Sequence, residues 1–135
     1  MNSRIKLFTA VLVVSLLFML TSCDGGAKKL IIGTWNPAPG SNTEFLGSTS
    51  SSVWTFNADG TYKEVETMTF AGTSTFVTTG KYELNTKDGI LILTPDDGWH
   101  DDTFGDQQYH YQFTVTNDYL TITTGLGTTR YNKQK

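Results

Sequence analysis

The chain has a single cysteine, Cys23, among its 135 residues, so no disulfide can form within it. Histidine is nearly as scarce, with two residues, and no serine stands in the Gly-x-Ser-x-Gly arrangement of a nucleophile elbow. Basic residues number 10 against 13 acidic ones, which gives a formal net charge of −3. This charge balance argues against binding to nucleic acid and against electrostatic adsorption to anionic lipid.

Helical periodicity is also missing from the region after Cys23, where no stretch repeats its apolar residues at a helical spacing. The same region is rich in threonine, serine, glycine and aromatic residues. Threonine, tyrosine, phenylalanine and tryptophan all favour β-strands. The sequence therefore predicts an all-β domain.

The first 22 residues have the order of features that marks a secretory signal. Arg4 and Lys6 form a basic segment, residues 7–20 form an apolar segment, and small residues precede Cys23. The apolar run is too short for a typical transmembrane helix, which needs roughly 20 such residues. We therefore predict a signal peptide over residues 1–22, a short tether over residues 23–29 and one domain over residues 30–135.

The sequence Leu20-Thr21-Ser22-Cys23 resembles the lipobox of bacterial lipoproteins. The resemblance implies cleavage before Cys23 and attachment of acyl chains such as palmitate to the new N-terminal residue. It also implies a lipid-anchored membrane protein of a bacterial cell envelope, facing the periplasm or the cell surface. The alternative is an ordinary signal peptide followed by an incidental free thiol.

Turn signals divide the domain into eight predicted strands joined mostly by short connections. Short connections favour antiparallel neighbours, and eight strands in an up-and-down meander can close into a barrel without free edges. Gly80, inside a long strand, suggests a bulge or a bend. The predicted strands cover residues 30–35, 53–56, 61–70, 73–84, 90–94, 107–116, 119–124 and 128–133.

Alternation along two strands separates an interior from an exterior face. Trp54 and Phe56 share one face, as do the apolar residues at 109, 111, 113 and 115, and we expect both sets inside. The strand over residues 61–70 is less regular, because Glu64 and Glu66 share a face with Tyr62. A bulge, a polar-lined barrel mouth or a misplaced strand boundary would explain this pattern.

Several segments together are similar to the small bacterial lipocalin-like lipoproteins. They are residues 32–35, which contain Gly33-Thr34-Trp35, and residues 56–62, 80–84 and 91–93, with Arg130 in the last strand. In lipocalins a basic residue near the C-terminus packs across the Gly-x-Trp tryptophan and closes the bottom of the barrel. The resemblance therefore implies a barrel-closing role for Gly33, Trp35 and Arg130, with a cation–π contact between the last two.

We expect the barrel to bind a small, partly apolar ligand in a shallow mouth, without catalysis and without a cofactor. The alternative for most of the candidate side chains is that they only fill the barrel. An uncharged, enclosed cavity would favour ligand binding, and a filled barrel would favour a role in protein contacts. The candidate ligand-binding residues are Trp54, Phe56, Tyr62, Met68, Tyr82, Tyr109, Tyr111 and Phe113.

The loop over residues 95–106 is acidic and contains Trp99, His100 and Phe104. Its carboxylates could bind Ca²⁺, and His100 with His110 could suit a transition metal, but the spacing matches no known motif. We therefore predict a solvated loop and no metal site. Exposed aromatic residues amid charges are typical of interaction surfaces. The alternative function is thus a protein-interaction module, an inhibitor or accessory subunit of an envelope complex, that uses Trp99 and Phe104.

Catalysis has little support in the sequence. Glu64 and Glu66 could pair as the two carboxylates of a glycosidase do, but a surface ladder of glutamates is commoner. We predict that the protein is not an enzyme.

Overall fold

The computed structural model describes residues 23–97 and 107–135. Within these residues the chain forms one helix followed by nine strands. The elements are α1 (Cys23–Ile31), β1 (Gly33–Pro37), β2 (Thr43–Phe45), β3 (Ser48–Phe56), β4 (Thr61–Thr69), β5 (Thr73–Asn85), β6 (Ile90–Pro95), β7 (Tyr109–Val115), β8 (Tyr119–Thr124) and β9 (Gly127–Lys133).

Eight of the strands close into an antiparallel barrel. Strands β3 to β9 pair in chain order, and β1 completes the ring by pairing with both β3 and β9. The short strand β2 pairs with the first residues of β3, along the same edge that β1 occupies further on. The prediction of an all-β, eight-stranded, up-and-down meander barrel is therefore confirmed, with β2 as an addition.

The segment predicted as a tether is a helix instead. Residues 23–31 form α1, so residue 30 does not begin a strand, and Ile31 at the helix end is fully buried in the core. Such a short helix with Gly25 and Gly26 has little stability of its own and depends on tertiary contacts. None of the helical structure in the described part of the chain is long and apolar enough to cross a bilayer.

Strand β3 begins at Ser48, five residues before the predicted start. Ser50, Ser52, Trp54 and Phe56 follow one another at the spacing of two that marks one face of a strand. The serine-rich half was predicted as loop because it contains no apolar residue to make the alternation visible. In the barrel this half pairs with β4 in continuous register as far as Thr49 and Thr69.

Gly80 marks a close approach of chains and not a bulge. The pairing of β4 with β5 runs without interruption from Thr61 to Thr69. A Cβ atom at Gly80 would collide with the backbone of Thr94 and Pro95 on β6 and would lie 2.9 Å from the Tyr62 ring. Glycine is needed here because a neighbouring backbone fills the space of a side chain.

The core lies at the end of the barrel that α1 covers, which we call the closed end. Trp35 is completely buried there, and its indole Nε1 donates a hydrogen bond of 2.7 Å to the Ile31 carbonyl. The Lys133 ammonium donates one of 2.9 Å to the Leu30 carbonyl. These two bonds satisfy carbonyls at the end of α1 that have no partner within the helix. They fix α1 across the barrel.

The basic residue that packs on Trp35 is Lys133 and not Arg130. The Lys133 ammonium lies 5.0 Å from the centre of the Trp35 ring, whereas the Arg130 guanidinium lies 4.4 Å from that of Tyr119. The register explains the correction, because Trp35 is paired directly with Lys133 across β1 and β9. Tyr131 is buried, so alternation turns its neighbour Arg130 outward.

Gly33 has the predicted place at the closed end, and the Lys133 side chain gives the reason. Its φ of 133° lies outside the range that other residues readily adopt. A Cβ atom at Gly33 would also approach the Cε atom of Lys133 to 2.9 Å. The glycine of Gly-Thr-Trp therefore leaves room for the lysine that covers the tryptophan.

Candidate functional site

The half of the barrel away from α1, which we call the open half, contains two neighbouring cavities. One has a volume of ≈ 410 Å³ and lies mainly between β5 and β7, and the other has a volume of ≈ 350 Å³ and lies between β3 and β9. Both are lined by Trp54, Glu64 and Tyr111, so these three side chains form the wall that the cavities share. Cavities of this size are typical of small-molecule sites.

Glu64 and Glu66 point into the barrel. The register of β3, β4 and β5 is continuous, and Tyr62 on the same face of β4 is buried. Alternation therefore turns Glu64 and Glu66 inward as well. Of the three explanations for the irregular strand, the polar-lined barrel mouth is the one that the structure supports.

Each of the two carboxylates is held by a serine on the neighbouring strand. The Ser52 hydroxyl donates a hydrogen bond of 2.6 Å to Oε1 of Glu64, and the Ser50 hydroxyl donates one of 2.5 Å to Oε1 of Glu66. The serine run at the start of β3 thus orients the acidic side chains of β4. Both serine–glutamate hydrogen bonds lie on the wall of the β3–β9 cavity, which these four residues line.

Burial raises the pKa of Glu64, and the nearby charge of Glu66 raises it further, while the Ser52 hydrogen bond acts in the opposite direction. Burial likewise raises the pKa of Tyr111, with a further contribution from the Glu64 charge. No lysine or arginine is among the residues lining either cavity. The described walls of the open half are therefore negative in charge and contain no basic partner for Glu64.

Trp54 belongs to the buried core and also lines both cavities. Its ring stacks on Phe56 with centres 5.9 Å apart, while its buried indole Nε1 makes no hydrogen bond of good geometry. Burial raises the pKa of the nearby Tyr131 hydroxyl, and a weak interaction with the Trp54 indole N–H partly offsets that effect. A buried donor without an acceptor costs free energy unless another molecule supplies one.

Five of the eight predicted ligand-binding residues line the two cavities, and three do not. Phe56 and Phe113 lie in the packed core of the barrel. The Tyr82 hydroxyl donates a hydrogen bond to the Asn57 carbonyl near the closed end, and its ring packs edge-on against Phe56. For Phe56 and Phe113 the core-filling alternative is correct, whereas Tyr82 is half-buried against the core and lines a separate cavity of ≈ 460 Å³ beside α1. The residues that line the cavities as predicted are Trp54, Tyr62, Met68, Tyr109 and Tyr111.

The sequence predictions anticipated only part of the polar lining. Ser50 and Ser52 were placed in a loop, whereas for Glu64 and Glu66 a polar-lined barrel mouth and a surface ladder were both left open. The spacing of two that leads from the serines to Trp54 was the signal for their inward direction. Thr129 and Tyr131 on β9 complete this wall.

The predicted partner-contact residues Trp99 and Phe104 lie outside the described residues, as does His100. Asp96 and Asp97 are exposed at the end of β6, and His110 is exposed on β7. Within residues 23–97 and 107–135, no group of three or more histidine, cysteine, aspartate or glutamate side chains is placed to hold a metal ion.

A comparison with protein families matches the chain to the lipocalin-like domain over residues 31–105. The match covers more than half of the chain and includes β1 to β6. No curated protein matches the sequence. The lipocalin-like fold is in general a non-enzymatic one that binds small ligands, and the closed antiparallel barrel agrees with it. The chain therefore belongs to the lipocalin-like family.

Proposed function

We propose that this protein is a lipid-anchored protein of a bacterial cell envelope that binds a small, partly apolar molecule without catalysis. The observation that carries the ligand-binding proposal is the pair of cavities in the open half of the barrel, beside a core that is packed at the closed end. A barrel that only needed to fold would not require the open half to remain unfilled.

The lining of the cavities supports a partly apolar ligand. Tyr109 and Tyr111 stack with ring centres 6.2 Å apart along one wall. Met68 and Ile122 lie on the wall of the β3–β9 cavity, beside the polar residues of β3 and β4. Aromatic rings offer large apolar surfaces at little conformational cost, and a few polar groups then fix the orientation of the bound molecule.

Mass spectrometry of small molecules that accompany the natively extracted protein tests this proposal. The wild-type protein is expected to release one molecular species that is present in amounts comparable to the protein. Ser50→Phe should lose it, because the new ring would fill the β3–β9 cavity from its wall. Ser51→Phe, one residue further on the outer face of β3, is the matched control and should retain it. Equal amounts from both variants would exclude this cavity as the binding site.

Attachment through acyl chains on Cys23 is the second part of the proposal. Cys23 is the first residue of α1, which is nine residues long and spans only about 13 Å. Because α1 is fixed over the closed end, an anchor at Cys23 would turn that end towards the bilayer and the open half away from it. The ligand would then reach the cavities from the aqueous side.

Contact with a partner protein is a second candidate function, favoured by apolar side chains around the open half. Leu46, Phe70 and Leu126 are 84%, 69% and 72% exposed and lie in turns at that end of the barrel. Exposed apolar groups of this kind are typical of interaction sites. A partner protein present in stoichiometric amounts in the same extracts, and lost in Phe70→Ser, would favour this function over ligand binding.

A further inference from the structure

The two inward carboxylates have hydrogen-bonding capacity that the protein does not use. An ionised carboxylate can accept about four hydrogen bonds. The described contacts of Glu64 and Glu66 are single hydrogen bonds to their Oε1 atoms, from Ser52 and Ser50. The serines orient the carboxylates, and each remains able to bind a donor from the cavity.

The charge of these carboxylates is not balanced within the described walls. The lining residues of the two cavities include Glu64, Glu66 and, at the outer part of the β5–β7 cavity, Asp97, but no lysine, arginine or histidine. The other titratable groups that face Glu64 are the hydroxyls of Tyr62, Tyr111 and Tyr131. Holding negative charge in a partly buried site without a counter-charge costs free energy. A cation entering the cavity would remove this cost, and an anion would add to it.

Aromatic rings surround the same position. Trp54 and Tyr111 line both cavities together with Glu64, and Tyr62 lies beside them in the β5–β7 cavity. An ammonium group placed against such rings gains cation–π attraction in addition to its charge pairing with a carboxylate. Apolar residues such as Met68 and Leu126 also line the β3–β9 cavity, which suits an organic cation better than a hydrated metal ion.

An independent observation at Trp54 also points to a ligand. The Trp54 side chain is only 5% exposed, and its indole Nε1 makes no hydrogen bond of good geometry, although it interacts with the Tyr131 hydroxyl. Glu64 accepts its described hydrogen bond from Ser52 and not from this indole. The site therefore offers two acceptor groups that a single small molecule could satisfy, beside a buried indole donor whose hydrogen bonding is incomplete.

We propose that the molecule bound in the open half is a small organic amine, with its ammonium group held by Glu64 and Glu66 and its apolar body against Trp54 and Tyr111. This inference rests on the proposed ligand-binding function and specifies the chemical class of the ligand. Molecules with a carboxylate in place of the ammonium group are excluded from the site by the same charges.

Isothermal titration calorimetry with three matched probes tests the inference on the detergent-extracted full chain. The probes are tryptamine, tryptophol, in which a hydroxyl replaces the ammonium group, and indole-3-propionate, which carries a carboxylate. Tryptamine is expected to bind at least about tenfold more tightly than tryptophol, a difference of ~1.4 kcal/mol. Indole-3-propionate is expected to bind most weakly of the three.

The variant Glu64→Gln removes the negative charge of the side chain but keeps its shape, so it shows how much of the affinity for tryptamine depends on that charge. Glutamine keeps an oxygen that can accept the Ser52 hydrogen bond, so the fold and the affinity for tryptophol should change little. The advantage of tryptamine over tryptophol should fall to less than about threefold, because the charge pair is lost. Glu66→Gln should act in the same direction, and Glu83→Gln, at an exposed position of β5, is the control that should change neither affinity.

Different outcomes would overturn the two proposals separately. Equal affinity for tryptamine and tryptophol in the wild type, or tightest binding of indole-3-propionate, would overturn the amine inference and leave ligand binding standing. Equal effects of Glu64→Gln on all three probes would also overturn it. Failure of all three probes to bind a folded protein that carries no extracted ligand would count against both the amine inference and the proposed function.

Discussion

Replacement of Trp35 by alanine is expected to lower the free energy of unfolding by roughly 3–5 kcal/mol. The Trp35 ring is completely buried at the closed end, where its loss would leave a large cavity. The same change removes the indole hydrogen bond to the Ile31 carbonyl and the ring that the Lys133 ammonium covers. Because these contacts fix α1, we expect the helix to detach before the barrel unfolds. Denaturant titration followed by circular dichroism measures the loss.

Two further variants divide this effect into its parts. Trp35→Phe keeps most of the buried ring but not the indole donor, so it should cost roughly 1–3 kcal/mol, the penalty for a buried polar group without a partner. Phe70→Ala removes an aromatic ring that is exposed in the turn between β4 and β5, and it should change the free energy by less than ~0.5 kcal/mol. A loss below ~1 kcal/mol for Trp35→Ala would contradict its place in the core.

Replacement of Cys23 by serine is expected to abolish membrane attachment if the proposed anchor is correct. Serine has no thiol to receive the acyl group, and the lipoprotein peptidase should leave the precursor uncleaved. The chain is acidic and therefore has no strong electrostatic attraction to anionic lipid. Stable anchoring depends on more than one acyl chain, and without them the protein should leave the membrane. Fractionation of cells, combined with the intact mass of the extracted protein, measures both effects.

A neighbouring substitution is the control for the anchor prediction. Ser22→Ala keeps a small residue before the cysteine, so acylation and cleavage should proceed as in the wild type. A normally cleaved Cys23→Ser protein that still partitions fully with membranes would contradict the proposed anchor. It would not affect the ligand-binding proposal, which depends on the open half of the barrel.

The barrel could be predicted from the sequence because its signals are local. Turns such as residues 57–60, together with the alternation along β3 and β7, define where strands end and which side chains face inward. α1 could not be predicted in this way, since Gly25 and Gly26 weaken it and its stability comes from contacts with Trp35 and Lys133. Lys133 is distant in the sequence, and only the closed barrel brings it to the end of the helix.

The candidate site was predictable in its aromatic part but not in its charge. Trp54, Tyr109 and Tyr111 follow a clear alternation and line the cavities as expected. Glu64 and Glu66 follow the same alternation on β4, so a polar-lined barrel mouth was one explanation, but an inward glutamate is rare enough that a surface position stayed open as well. Their direction depends on the register of β4 between β3 and β5, which no local signal determines. The basic residue at the closed end was misassigned for the same reason.

The indole N–H resonances of the ¹⁵N-labelled protein provide the most direct test of the central claim that a ligand binds in the open half beside Trp54. Trp54 and Trp35 are paired across β3 and β1, but Trp54 lines both cavities, whereas the Trp35 indole is bonded to the Ile31 carbonyl at the closed end. Titration with unlabelled tryptamine is expected to shift the Trp54 indole resonance to saturation and to move that of Trp35 several-fold less. A saturable shift confined to Trp35, or binding that leaves the Trp54 indole unmoved, would contradict the claim.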